Sequence, residues 1–70
     1  MYLRLEDHAL VDDLCAHYRR SGFTAEPAGS GVVEIRRPDA PDPSQERREV
    51  LMHLRVWEVL QPSARAELLP

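Results

Sequence analysis

Between Asp7 and Gly22 every local signal for a helix agrees, and this segment sits between two stretches of alternating pattern. Asp7 is placed to cap the helix, and Leu10, Val11, Leu14, Cys15 and Tyr18 recur on one face at the helical period. Asp12 and Asp13 fall near the positive end of the helix dipole and Arg19 and Arg20 near its negative end, with Gly22 as the stop. Upstream, Leu3 and Leu5 alternate with Tyr2, Arg4 and Glu6, which is the period of a half-buried strand. Downstream, residues 23–28 alternate again, Gly29-Ser30-Gly31 makes a turn, and residues 32–36 return with Val33 and Ile35 on one side, which is a hairpin. Pro27 has no N–H to give a ladder, so its strand is expected at a sheet edge.

Residues 37–43, Arg-Pro-Asp-Ala-Pro-Asp-Pro, hold three prolines and form a stiff connection rather than a regular element. Asp42 as cap, Pro43 in the first turn and Gln45 three residues past the cap then open a second helix, expected to end near Leu60, before Pro62. Residues 61–70 are expected to be a tail or a short C-terminal helix. The chain is thus a single α+β domain over residues 1–70, a βαββα two-layer sandwich resembling a truncated ferredoxin-like fold. A crossover helix followed by a hairpin gives the sheet order 1-3-2, antiparallel across strand 3, with both helices on one face. The outer edge of strand 1 is then open, to be covered by a second copy or by the tail folding back.

The second helix adds a separate demand. Val50, Leu54 and Trp57 form one apolar stripe, whereas Met52, Val56, Val59 and Leu60 form another roughly opposite. A three-stranded sheet can bury only one of them. The other must meet the tail leucines Leu68 and Leu69, or a partner. At 70 residues a single core supplies only a few kcal/mol, which adds weight to self-association. The expected contact surface of a homodimer comprises Met52, Val56, Trp57, Val59, Leu60 and Tyr2, with strand 1's edge as a further contact; an unidentified protein is the other candidate partner.

Composition narrows the alternatives. A net charge of −3 gives no pull toward nucleic acid or anionic lipid, and no apolar run approaches the length of a membrane span. The lone cysteine, Cys15, cannot form an intramolecular disulfide, which favours a reducing, cytoplasmic setting. Lying in the first helix's apolar stripe, it is expected to be an inert core residue rather than a nucleophile. Asp13 and His17, or His8 and Asp12, share helical faces, but two ligands do not make a metal site, and no cofactor is expected. His17 is accounted for by the helix C-terminus. Gly29-Ser30-Gly31 joins two strands and so lacks the helix N-terminus that a phosphate cradle needs. Arg36, Arg37, Arg47 and Arg48 could converge as an anion-binding patch, although Glu34, Asp39, Asp42, Glu46 and Glu49 interleave with them.

Leu14 to Ile35, beginning LCAHYRRSGFTAEP, resembles small bacterial signal-transducing domains in which a helix ends at a glycine and leads directly into a strand. That resemblance implies the fold and carries no catalytic residue over, and the proline-rich connection and the long second helix depart from the pattern. The reading of the sequence is a non-enzymatic interaction or regulatory module, with a regulator binding an anion or small ligand as the alternative.

Overall fold

The computed structural model describes residues 1–70. Strand β1 (Tyr2–Leu5) leads through a 3-10 turn (His8–Leu10) into helix α1 (Val11–Arg20). Strands β2 (Thr24–Gly29) and β3 (Val32–Arg36) form the hairpin, helix α2 (Pro43–Leu60) follows the proline segment, and strand β4 (Ala66–Leu68) ends the chain. The sheet has four strands in the order β2-β3-β1-β4, with every neighbouring pair antiparallel.

Local chemistry explains most of these boundaries. Asp7 accepts a hydrogen bond from Ala9 N–H at 3.0 Å, so it caps the 3-10 turn that precedes α1 rather than α1 itself. Asp42 accepts from Gln45 N–H at 2.8 Å and Pro43 occupies the first turn of α2, as the capping signals imply. Gly31, at φ 70°, is required twice over: a Cβ there would stand 2.5 Å from the His8 imidazole and 2.9 Å from the Leu5 carbonyl oxygen.

Two expectations are corrected. The truncated, three-stranded sheet of order 1-3-2 is a four-stranded sheet, because β4 lies along the outer edge of β1, with Arg4 opposite Glu67. The tail is accordingly a strand, not a short helix. Ala, Glu and Leu favour helix intrinsically, but β1 would otherwise leave a row of backbone groups unpaired. Glu6 N–H now donates to Arg65 O at 3.0 Å and Leu69 N–H to Tyr2 O at 2.8 Å.

The core lies between one face of the sheet and both helices. Leu3, Leu5, Ala25, Val33 and Ile35 face Leu14, Cys15 and Tyr18 of α1 and Val50, Leu54 and Trp57 of α2, closed at the ends by Phe23 and Ala64. Each large apolar side chain fully buried there contributes about 1.5–3 kcal/mol relative to exposure. Three polar contacts fix how the helices meet. The Tyr18 hydroxyl donates to Val50 O at 2.6 Å, Trp57 Nε1 donates to Asp13 Oδ2 at 2.8 Å, and His17 Nε2 lies 2.9 Å from His53 O. A carbonyl can only accept, so His17 carries its proton on Nε2. No buried side-chain nitrogen or oxygen is left without a partner.

Candidate interaction surface

An aspartate cap and a proline start fix where α2 begins, and thereby which residues turn inward. Val50, Leu54 and Trp57 face the sheet. The opposite stripe stays in solvent: Met52 is 55% exposed, Val56 51%, Val59 78% and Leu60 65%. Leu68 packs against the core from β4 and the tail covers the edge of β1, so neither reaches this stripe. Met52, Val56 and Val59, at spacings of four and three, share one face of the helix, and Leu60 follows Val56 by one turn. Arg48 and Arg55 are exposed beside them and form no ion pair. A contiguous row of large apolar side chains with a polar rim is the usual mark of a contact surface.

Two residues expected on that surface belong elsewhere. Trp57 is 1% exposed, its ring in the core and its indole nitrogen bonded to Asp13, so it anchors α2 and cannot meet a partner. Tyr2 is exposed, but it points from β1 to the side of the sheet opposite the helices, since Leu3 and Leu5 take the inner side. The edge of β1 is no longer a contact either, because β4 occupies it.

The four arginines of the proposed anion patch do not converge. Arg36 ends β3 on the outer face of the sheet, 3.6 Å from Glu34. Arg37, next in the chain, turns the other way and is consumed structurally. Its Nη1 donates to Ser21 O at 2.8 Å, its guanidinium lies 4.7 Å from the centre of the Phe23 ring, and its backbone N–H donates to Glu46 Oε2 at 2.8 Å. The Glu49 carboxylate lies 4.0 Å from the Arg37 Nε. Arg47 and Arg48, both exposed on α2, form no ion pair.

Of the groups that could carry reactions, Asp13, His17 and Tyr18 are hydrogen-bonded within the fold. Cys15 is buried, and that burial pushes its thiol above the usual 9.0, away from a nucleophile. Asp13 is taken by Trp57 and Gln61, and His8 lies 3.5 Å from Ser30. No three His, Cys, Asp or Glu side chains gather where they could hold a metal ion. His17 lies in the last turn of α1, as the sequence implies, and is also packed between the two helices. It stands edge-on to Tyr18, with ring centres 5.4 Å apart. Beside it, burial first and then His17 and Arg37 push the His53 imidazole below its usual 6.5, Glu49 acting the other way.

Two open clefts lie in the surface. One of about 240 Å³ lies under the proline segment between Arg37, Asp42 and Glu46. The other, of about 440 Å³, runs beside β4 and is lined by Arg4, Glu6, Glu58, Arg65, Ala66 and Glu67. No helix is long and apolar enough to cross a membrane. No family model, curated protein or solved structure matches the chain.

Proposed function

We propose that this chain is a non-enzymatic interaction module that associates with a second copy of itself through the outer face of α2. The observation that carries the reading is the exposure of Met52, Val56, Val59 and Leu60 in a chain whose other large apolar side chains, Tyr2 excepted, are at least partly covered. A second copy suits this stripe. Across a two-fold axis the stripe meets itself, apolar against apolar, without burying an unpaired charge. The small core adds to the argument, since association contributes stability that 70 residues alone supply sparingly.

The element order β1-α1-β2-β3-α2-β4 and the all-antiparallel sheet support classing the domain with ferredoxin-like sandwiches, complete rather than truncated. The free thiol of Cys15 supports a reducing compartment such as the cytoplasm. The anion-binding alternative is weakened by the commitment of Arg37 to Ser21, Phe23 and Glu46.

Light scattering at high micromolar concentration tests the reading. The mass should exceed that of the 8.0 kDa chain, and Val56→Glu or Val59→Glu should lower it. Both positions are exposed, so the variants should still fold. A strict monomer, or a mass indifferent to both substitutions, contradicts the reading.

A further inference from the structure

The two edges of the sheet are finished differently. On the β2 side, Pro27 offers no N–H, the register shifts between Pro27 and Gly29, and the Ala25 carbonyl accepts a hydrogen bond from Arg19 Nε at 2.9 Å. Each device discourages another strand from pairing there. Strand β4 has none of them. Because Glu6 N–H donates to Arg65 O and Leu69 N–H to Tyr2 O, residues 65, 67 and 69 turn their backbone groups toward β1. Ala66 and Leu68 therefore turn theirs outward, and no side chain takes them.

We propose that β4 pairs antiparallel with β4 of another copy about a two-fold axis at Ala66, joining two sheets into one. Charge selects this register. Arg65 and Glu67 lie two apart on the outer face, so an axis at Ala66 sets each Arg65 opposite the partner's Glu67. An axis at Glu67 would instead set two carboxylates opposite each other. Arg65 has no ion-pair partner within its own chain, and Glu67 is held on its other side by Arg4 at 3.3 Å. The open cleft along β4, lined by Arg65, Ala66 and Glu67, leaves the edge accessible. The stripe on the outer face of α2 points elsewhere, so the two contacts are separate, and a chain using both builds assemblies larger than a dimer.

Mass measurements on single and double variants separate the two contacts. Val56→Glu should leave a dimer held by β4. Ala66→Pro, which removes the outward N–H of an edge residue, should lower the mass of the unmodified chain, and the double variant should be a monomer. A monomeric Val56→Glu protein, or an Ala66→Pro protein of undiminished mass, overturns the edge contact. A Val56→Glu protein of unchanged mass overturns the α2 contact instead. A second readout does not depend on Ala66→Pro folding. Facing residues in a hydrogen-bonded antiparallel pair have Cα atoms about 5.5 Å apart, within disulfide reach. Ala66→Cys should therefore cross-link on mild oxidation at least tenfold faster than Thr24→Cys on the β2 edge. Equal rates contradict the pairing.

Discussion

Helices α1 and α2 are built alike on the inside and differently on the outside. Each segment opens at an aspartate, Asp7 ahead of α1's 3-10 turn and Asp42 at α2, and each sends one stripe into the same core. Outward, α1 shows Asp12, Arg19 and Arg20, the ordinary solvated face of a helix on a sheet. Outward, α2 shows Met52, Val56, Val59 and Leu60. The fold demands an inner face from both helices and asks nothing apolar of either outer face. On the proposed reading, the outer face of α2 answers to association with a second copy rather than to folding of the single chain.

That contrast can be broken from the inside first. Trp57→Ala should cost about 3–5 kcal/mol, a large share of the stability of a domain this small, and should be visible as a collapse of the thermal transition. The substitution also leaves Asp13 without its indole donor. If the protein tolerates it with little loss, α2 is not anchored as described. Leu14→Ala makes the matching test on α1, at about 2–5 kcal/mol.

Smaller effects sharpen the seam between the helices. Tyr18→Phe removes a buried hydroxyl bonded to Val50 O and should cost about 1 kcal/mol by denaturant titration. Acid adds a further term through His53. Its folded-state proton affinity is lowered, so the unfolded chain takes up the proton first. Stability should be full above about pH 6.5 and decline as pH falls from there toward the lowered value. His53→Gln should flatten that decline. At the alkaline end burial holds the Tyr18 phenol well above its usual 10.0, so stability should fall as pH rises past that value, and Tyr18→Phe should remove this dependence. Smallest of all, Val59→Ser should change the stability of the monomer by no more than about 0.5 kcal/mol while reducing its association.

Much of this was legible in the sequence. The period of Leu3 and Leu5, the cap at Asp42, the stop at Gly22 and the edge position of Pro27 are local signals, and the chain follows them; Asp7 caps too, but the 3-10 turn ahead of α1. Strand β4 was legible only indirectly. Ala66 and Leu68 offer too short an alternation to outweigh the helical preference of their residue types. The stronger clue was the open edge of β1, which called for a partner from somewhere. The outer stripe of α2 followed from helical spacing, and the same spacing set Trp57 with Val50 and Leu54 on the inner one; what spacing could not foresee was the indole nitrogen reaching Asp13 on α1. The partners of Arg37 and His17 were out of reach for the same reason. Both depend on how α1, the proline segment and α2 are brought together, which no local pattern encodes.

Whether the outer face of α2 is a contact surface can be read at Met52. Its methyl group is a single probe within the stripe, and Met1, packed against the core, serves as the internal reference. With methionine methyls labelled for nuclear magnetic resonance, the Met52 signal should be shielded from a soluble paramagnetic reagent at high protein concentration and become accessible on dilution, while Met1 stays unchanged. A Met52 methyl equally accessible at all concentrations would contradict the account.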